Sequence, residues 1–371
     1  MRHRIHWASA GLLLLCCVPA AAQYVITEYP VLTANASPNA IARGPDGNLW
    51  FTEYSADQIG RLNPSTGAVK EYSGLTAGNS PSGIAAGPDG NLWFTEYGTS
   101  AIESINPSTG TVTQYTVGMH FGADPVGIVA GPDGNMWFAE LNNGAGYGIA
   151  RINPNTGVIT EYGAAPFGSQ PYGITVGSDN NLWFTMLLPA LGKISPTTFA
   201  SSTYTSGLSV GARTLGVAAG SDGNIWFTDT SANKIGRIIP ATGAITEYPL
   251  PTLNAGMAGL GIAAGPDGNL WFTEGAANQI GRINPGTGAI TEYSSGMTAG
   301  SYPYGIAAGP DGNMWFAEFD GNRIGRITLS ASSPAPTESA PTLSHGGILL
   351  LIVLLGGAAM LQMRRRDTQK S

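Results

Sequence analysis

The sequence contains almost no cysteine. Of its 371 residues only Cys16 and Cys17 are cysteines, and both lie before residue 23. Residues 23–329 therefore have no partner for a disulfide bond and no thiol for catalysis. Any stability in this region has to come from packing and hydrogen bonding.

Positive charge is also scarce. Residues 23–329 contain 11 Lys and Arg against 22 Asp and Glu, a net charge of −11, and His120 is the only histidine among them. No run of lysine or arginine occurs in this region. The absence of a basic surface argues against nucleic acid as a partner.

The amino terminus has the order of a secretory signal. Arg2 and Arg4 precede an apolar run from Ala10 to Val18, which a group of small residues follows. This order predicts that residues 1–22 are a cleaved signal peptide and that the chain is exported. A lipoprotein signal acting through Cys16 is the alternative, although a bulky leucine precedes that cysteine.

The carboxyl terminus has three parts. Residues 330–347 are rich in serine, alanine and proline and lack the hydrophobicity to pack, which predicts a linker. Residues 348–366 hold an apolar run closed by three arginines, which predicts one transmembrane helix whose charged end stays in the cytoplasm. Residues 367–371 form a tail. These features predict an exported protein that is held at the cell envelope or outer surface or is secreted.

Between residues 24 and 329 a segment of the type Gly-Pro-Asp-Gly-Asn-Leu-Trp-Phe occurs seven times. Its tryptophans are separated by 43, 44, 46, 43, 45 and 44 residues. They are Trp50, Trp93, Trp137, Trp183, Trp226, Trp271 and Trp315. A period in the forties indicates one repeat architecture rather than several unrelated domains.

Each repeat is predicted to form four short strands. Small residues such as Gly83 to Gly87 suit an innermost strand near a crowded axis, and an Asp-Gly turn follows them. Asn91 to Thr95 is apolar on both faces, as expected for a strand that neighbouring sheets cover. Gln279 to Ile283 and Ala289 to Tyr293 are examples of the third and fourth strands. Seven such repeats predict an all-β, seven-bladed β-propeller with four antiparallel strands in each blade.

The order of the strands predicts how the propeller closes. The seventh repeat ends at Ile327 without an Ile-Thr-Glu-Tyr segment, whereas the mature chain begins with Val25 to Tyr29, which matches the missing strand. We therefore predict that Ile26 to Tyr29 pairs beside Ile324 to Ile327. This pairing joins the two chain ends and removes an exposed sheet edge.

The repeat, Gly-Ile-x-x-Gly-Pro-Asp-Gly-Asn-Leu-Trp-Phe-Thr-Glu followed by Asn-x-Ile-Gly-Arg-Ile and Ile-Thr-Glu-Tyr, resembles the virginiamycin B lyase (streptogramin lyase) family over residues 24–329. The resemblance implies a seven-bladed propeller that linearises a cyclic depsipeptide antibiotic by metal-assisted elimination. Such chemistry needs a base beside a carbonyl group and a cation that spreads the developing charge.

A second resemblance concerns the tail. Ala340 to Ser344, followed by the apolar run and the arginines, resembles the Ile-Pro-Thr-Leu-Ser type of carboxy-terminal sorting signal of Gram-negative bacteria. Ala340 stands where that signal has isoleucine, and His345 stands where an acidic residue is usual. The resemblance implies processing or anchoring at the cell envelope.

The catalytic residues of the lyases do not carry over. In that family a histidine precedes the innermost-strand Gly/Ala-Ile of the last two blades, and a glutamate follows Phe-Ala-x in the last blade. The matching positions here are Leu260, Tyr304 and Phe319. A phenol with a pKa of about 10 is a poor base at neutral pH, and the other two side chains exchange no proton. Glu318 lies one residue early, on the other face of a strand. We therefore predict no catalytic residues.

An acidic residue follows Trp-Phe-Thr or Trp-Phe-Ala in six of the seven repeats, where two loops of each blade open on one face. These residues are Glu53, Glu96, Glu140, Asp229, Glu274 and Glu318. One interpretation is a carboxylate ring that binds Mg²⁺ or Ca²⁺, which prefer oxygen ligands. The interpretation that we favour is structural: a residue repeated in nearly every blade hydrogen-bonds loop amides or a neighbouring strand.

The repeat is interrupted on one side of the same face. The residues that we predict to form a binding patch are His120, Phe121, Tyr147, Tyr172, Met186, Leu187, Leu188 and Tyr304. Apolar and aromatic groups beside a few polar ones are typical of a site for a ligand or a partner. The alternative is sequence drift in permissive loops, and His120 alone is more simply explained as an exposed loop residue.

Three functions are compatible with these observations. The one that we favour is an exported, envelope-associated binding module for a small molecule or an envelope protein, built on a monomeric propeller. The second is a divergent metal-dependent lyase that opens cyclic esters. The third is a purely structural repeat of the cell surface.

Overall fold

The computed structural model describes residues 24–141, 147–163, 170–255 and 257–329. These residues form seven four-stranded antiparallel sheets, and the innermost strand of each sheet contacts those of the sheets on either side. The predicted seven-bladed propeller is thereby confirmed. The described ranges contain no helix that is long and apolar enough to cross a membrane. The predicted signal peptide, linker, transmembrane helix and tail lie outside them.

Strands are numbered in chain order, and each blade uses one strand of each of four kinds. The innermost strands are β2 (Pro38–Arg43), β6 (Pro81–Ala86), β10 (Pro125–Ala130), β14 (Pro171–Val176), β18 (Thr214–Ala219), β22 (Met257–Ala264) and β26 (Pro303–Ala308). The second strands are β3 (Leu49–Glu53), β7 (Leu92–Glu96), β11 (Met136–Glu140), β15 (Leu182–Met186), β19 (Ile225–Asp229), β23 (Leu270–Glu274) and β27 (Met314–Glu318).

The outer half of each blade is built in the same way. The third strands are β4 (Gln58–Leu62), β8 (Ala101–Ile105), β12 (Tyr147–Ile152), β16 (Leu191–Ile194), β20 (Lys234–Ile238), β24 (Gln279–Ile283) and β28 (Arg323–Thr328). The outermost strands are β5 (Val69–Tyr72), β9 (Val112–Tyr115), β13 (Ile159–Gly163), β17 (Ser201–Tyr204), β21 (Ile245–Pro249) and β25 (Ile290–Tyr293), with β1 (Val25–Pro30) completing the seventh blade.

The propeller closes through its first strand. β1 pairs antiparallel with β28, and Ile26 lies opposite Ile327 while Tyr29 lies opposite Ile324. The seventh sheet thus has the order β1-β28-β27-β26. The predicted pairing of Ile26 to Tyr29 beside Ile324 to Ile327 is confirmed, and the edge of β28 is covered.

The core lies between blades and is carried by the second strands. Every residue of β3 is buried, and its Trp50 donates an indole hydrogen bond to Asp46 in the preceding turn at 3.0 Å. The same ring stacks on Tyr72 of the outermost strand with centroids 5.2 Å apart, and the Arg61 guanidinium lies 5.7 Å from its centre. The other six tryptophans donate to their turn aspartates at 2.9 to 3.1 Å. The Asp-Gly turn therefore anchors the core as well as reversing the chain.

Backbones of adjacent blades approach closely near the axis. A Cβ atom on Gly83 would lie 2.3 Å from the carbonyl oxygen of Val126 in the next blade, so only glycine fits there. The hydroxyl of Thr95 accepts from the Gly83 N–H at 2.8 Å and donates to that same carbonyl at 2.7 Å. These contacts hold the innermost strands around a narrow axis, which positions the loops at its mouth.

Candidate functional site

One cavity of about 300 Å³ lies where the loops into the innermost strands meet the loops that leave the second strands. We call it the mouth cavity. Its lining comes from the second residue of innermost strands and from the residue directly after second strands. The first set is Asn39, Ser82, Val126, Tyr172 and Tyr304, and the second set is Tyr54, Tyr97, Leu141 and Phe319.

Aromatic side chains form a continuous arc around the mouth cavity. The ring of Tyr54 has its centroid 6.4 Å from that of Tyr97 on one side and 6.3 Å from that of Phe319 on the other. Phe319 in turn lies 5.7 Å from Tyr304. The hydroxyl oxygens of Tyr304 and Tyr172 are 2.9 Å apart. We call these five residues the aromatic arc.

The tyrosine pair of the arc joins blade four to blade seven. Burial raises the pKa of both phenols, and the hydrogen bond between them opposes this increase for Tyr172 while it adds to the increase for Tyr304. Both groups are therefore neutral at physiological pH and act as hydrogen-bond donors and acceptors. A neutral phenol of raised pKa is a poor general base.

A second cavity of about 130 Å³ follows the axis of the propeller. Glycine and isoleucine residues of innermost strands line it, among them Gly173 and Gly305, which directly follow Tyr172 and Tyr304. Adjacent positions on the same two strands thus contribute to both cavities. The axial cavity offers backbone and aliphatic groups and no titratable side chain among its described lining residues.

The six acidic residues that end the second strands do not line the mouth cavity. All six are fully buried within their own blades, and the cavity is lined instead by the residues that follow them. Within the described ranges they do not come together as a set of metal ligands. The described residues that line the mouth offer amide and hydroxyl oxygens but no carboxylate, so they do not fit Mg²⁺ or Ca²⁺.

Five of these acids lie beside a second carboxyl group of the same blade. Burial, followed by repulsion from that neighbour, raises the pKa of Glu53, Glu274 and Glu318 to about 8 and the pKa of Glu96 and Glu140 to about 9. The pairs of buried acid and neighbour are Glu53 with Glu71, Glu96 with Glu103, Glu140 with Glu161, Glu274 with Glu292, and Glu318 with Glu28. Each buried glutamate therefore holds its proton at neutral pH.

The sixth acid, Asp229, hydrogen-bonds the backbone of nearby loops. The carboxylate of Asp229 accepts hydrogen bonds from the backbone N–H groups of Arg213 and Ala232, both at 3.1 Å. Met186, the blade-four counterpart, is wholly buried in the core cluster between blades three and four. Asp229 thus bonds loop amides as the structural interpretation expects, whereas neither carboxylate oxygen of Glu53, Glu96, Glu140, Glu274 or Glu318 accepts a hydrogen bond from the protein.

The predicted binding patch is only partly brought together. Tyr172 and Tyr304 meet in the mouth cavity, whereas Met186 is buried in the core and His120 contacts Glu161 of the outermost strand. Phe121 and Leu188 are exposed, Leu187 is half-buried, and Tyr147 begins β12. The side chains that line the mouth cavity lie around the axis instead of at one side of the face.

Sequence reasoning missed most of the arc. The sequence pattern does not single out Tyr54, Tyr97, Asn39 or Ser82, and it marks Phe319 only as the position where the lyases have a glutamate. A signal for them exists: the position after each second-strand acid changes from blade to blade, while the acid itself recurs. In a propeller, positions that vary between otherwise identical blades are the ones that can make the mouth asymmetric, so that a ligand could bind there in one orientation.

Comparison with known proteins identifies the relatives of this fold. The model of the virginiamycin B lyase family matches residues 20–187 and 158–342. A solved streptogramin B lyase is 35% identical, with a TM-score of 0.75, over 82% of this chain and 97% of that one. A catalytically inactive virginiamycin B lyase from Staphylococcus aureus, solved with quinupristin, is 34% identical with a TM-score of 0.75, over 83% of this chain and all of that one.

A curated relative matches over a shorter segment. Virginiamycin B lyase of Streptomyces coelicolor is 43% identical over 44 residues, which are 12% of this chain and 15% of that protein. The family model and the two solved enzymes, by contrast, span the whole propeller. Together with the seven closed blades, they show that this chain belongs to the virginiamycin B lyase family.

Proposed function

We propose that this chain is a binding protein whose ligand site is the mouth cavity. The observation that carries the proposal is the aromatic arc, five rings that border a cavity of about 300 Å³. Cavities of this size with mainly aromatic walls and a few convergent polar groups are typical of small-molecule sites. Asn39, Ser82 and the tyrosine hydroxyls supply the polar groups that would orient a ligand.

The lining also favours a class of ligand. No lysine, arginine, aspartate or glutamate is among the described residues that line the cavity, so it suits an uncharged molecule with apolar rings. Aromatic side chains gain most from flat or cyclic partners. The related enzyme solved with quinupristin makes that streptogramin the first probe to use.

We expect quinupristin to bind the protein at the arc. Replacing Tyr54 by Ala removes the central ring, which contacts neighbours on both sides, and should weaken binding roughly tenfold because an aromatic contact contributes about 0.5–1.5 kcal/mol beyond its buried area. Tyr54→Phe keeps the ring and should stay within about twofold of the unchanged protein. Isothermal titration calorimetry measures all three affinities.

Val210→Ala provides the matched control for this test. Val210 is fully exposed on a loop into an innermost strand and does not line the mouth cavity, so its replacement should leave the affinity unchanged. Equal weakening by Tyr54→Ala and Val210→Ala would assign binding to the loops in general. Absence of quinupristin binding in the unchanged protein would remove streptogramins from the proposal.

The family relationship favours a second candidate, a metal-dependent lyase. Eliminative ring opening breaks a carbon–oxygen bond, forms a carbon–carbon double bond and a carboxylic acid, and leaves the molecular mass unchanged, so chromatographic retention is the readout. We expect quinupristin to be recovered unchanged with Mg²⁺, because the mouth presents no carboxylate or imidazole among its described residues. The lyase would be established instead if quinupristin is turned over, if a chelator abolishes this turnover, and if Glu274→Gln or Glu318→Gln abolishes it as well.

We also propose that the chain is exported and held at the cell envelope of a Gram-negative bacterium. The charged, apolar and small-residue order before Gln23 and the apolar run before Arg364 support this location. Mass spectrometry of the isolated protein should find its amino terminus at Gln23, and cell fractionation should place it in the envelope. A full-length chain that begins at Met1 in the soluble cytoplasmic fraction would contradict the proposal.

A further inference from the structure

We propose that His120, Glu140 and Glu161 bind a divalent transition-metal ion inside blade three, away from the mouth cavity. One potential ligand atom from each residue lies within 4.8 Å of those of the other two. In the part of the chain that the structure describes, this is the one place where three such side chains converge. None of the three lines the mouth cavity, so the site is independent of the ligand-binding proposal.

Each ligand comes from a different element of the blade. Glu140 is the last residue of β11, Glu161 lies on β13, and His120 lies in the connection from β9 to β10. The backbone N–H of His120 donates to Oε1 of Glu161 at 2.7 Å, and its Nδ1 lies 2.8 Å from the same oxygen. The fold therefore presents an imidazole and a carboxylate together before any ion arrives.

Glu140 supplies the second observation that points to a ligand. Its side chain is fully buried, and neither carboxylate oxygen has a hydrogen-bond donor from the protein. A buried carboxylate without donors is costly unless it is protonated, paired with a cation or bound to a metal. The carboxyls of Glu53, Glu96, Glu274 and Glu318 are unpartnered in the same way, so what distinguishes Glu140 is the imidazole that lies with it and Glu161. A metal ion held by one atom from each of the three residues would give the buried group a partner.

Comparison between blades separates this arrangement from an ordinary loop contact. In four other blades the residue equivalent to His120 also donates its backbone N–H to the outermost-strand glutamate, but it carries a hydroxyl. These residues are Thr33, Ser209, Thr252 and Thr298, and their hydroxyls donate to the same carboxylates at 2.6 to 2.7 Å. A hydroxyl thus suffices to hold the loop. Blade three alone in this set replaces it with a nitrogen ligand.

The donor set indicates the class of metal. One imidazole and two carboxylates, with a remaining position for water, suit Zn²⁺ or a similar first-row ion, whereas Mg²⁺ and Ca²⁺ prefer oxygen ligands alone. The His120 side chain is 18% exposed, and Phe121 beside it is fully exposed. An ion can therefore reach the site from the outer part of the loop face.

The experiment is a Zn²⁺ titration of the full chain without an added histidine tag. We expect one Zn²⁺ ion per chain by calorimetry, and a visible absorption band when Co²⁺ replaces it. His120→Thr gives blade three the hydroxyl contact of blades one, six and seven, so the loop should remain attached and the melting temperature should be kept. Zn²⁺ affinity should nevertheless fall by about 100-fold or more because a direct ligand is lost.

Two controls make the result specific. Glu274→Gln changes the equivalent buried acid in blade six, and His345→Ala removes the histidine of the linker, so both variants should bind Zn²⁺ like the unchanged protein. Glu140→Gln should weaken binding like His120→Thr. Unchanged Zn²⁺ affinity in His120→Thr, or no uptake of Zn²⁺ by the unchanged protein, would overturn the site.

Discussion

Deleting residues 24–30 should prevent the propeller from folding cooperatively. The deletion removes β1, which pairs along its whole length with β28. It also removes the buried Ile26, which packs in the core cluster of Trp271, and the Tyr29 ring, which lies 5.3 Å from Trp315. Each buried side chain of this size contributes about 1.5–3 kcal/mol, so the total loss approaches the net stability of a typical domain.

Urea unfolding, monitored by tryptophan fluorescence, measures this effect. Two point variants separate the contribution of a buried residue of β1 from that of an exposed one. Ile26→Ala should lower the free energy of unfolding by about 2–4 kcal/mol because it leaves a cavity in the core. Val25→Ala changes the neighbouring residue, which is 51% exposed, and should cost less than about 0.5 kcal/mol. A truncated chain that unfolds at the same urea concentration as the full chain would show that β1 does not close the fold.

Stability should fall as the pH rises from about 5 to 9. Glu53, Glu274 and Glu318 have folded-state pKa values of about 8, and Glu96 has one of about 9, against a reference value of 4.5. Because the folded state holds these protons more tightly than the unfolded state does, their contribution is fully present below about pH 4.5. It is lost as the pH rises through the folded values.

The turn aspartates give the opposite trend in acid. Although burial alone would raise it, hydrogen bonds from Asn48 and Trp50 hold the pKa of Asp46 below its usual value, and Asp133 and Asp179 behave in the same way. A group with a lowered pKa contributes stability above its unfolded value, and this contribution is lost as the pH falls through the folded value. Maximum stability is therefore expected in weak acid, near pH 5.

Glu274→Gln isolates one of the buried protons. Glutamine cannot ionise, so at pH 8.5 this variant should melt at a higher temperature than the unchanged protein, and its melting temperature should depend less on pH. Asp320→Asn changes an exposed loop carboxylate and should leave the pH profile unchanged. Calorimetric melting between pH 4 and pH 9 gives both profiles, and parallel profiles for Glu274→Gln and the unchanged protein would contradict the assignment.

The fold follows from the sequence because its determinants are local and repeated. The period of the tryptophans, the Asp-Gly turns and the displaced Ile-Thr-Glu-Tyr segment predict seven blades and the pairing of β1 with β28, and the structure has both. The hydrogen bond from each indole to its turn aspartate was not predicted. It depends on the close fit of Trp50 against Gly44, where a Cβ atom would lie 2.4 Å from the indole.

The mouth cavity is harder to predict from the sequence than the fold, because its lining depends on the direction in which each side chain points at the end of a second strand. Glu53 and Tyr54 are adjacent in the chain, yet the first is fully buried within the blade and the second lines the mouth cavity. Likewise the meeting of Tyr172 and Tyr304, which are 132 residues apart, depends on the diameter of the propeller at its mouth. The repeated residues identify the scaffold, whereas residues that line the mouth cavity, such as Tyr54 and Phe319, occupy a position whose identity changes from blade to blade.

The pairing of β1 with β28 has a consequence for synthesis. Its two strands are separated by roughly 300 residues, so at about 5–20 residues per second the ribosome needs on the order of 15–60 seconds between delivering the first and the last. During this interval β1 has no partner. In a nascent chain that folds blade by blade, β1 therefore stays unpaired until β28 is made. Pairing of these two strands is the step that covers the last free sheet edge, and a covered edge protects the molecule from pairing with other chains.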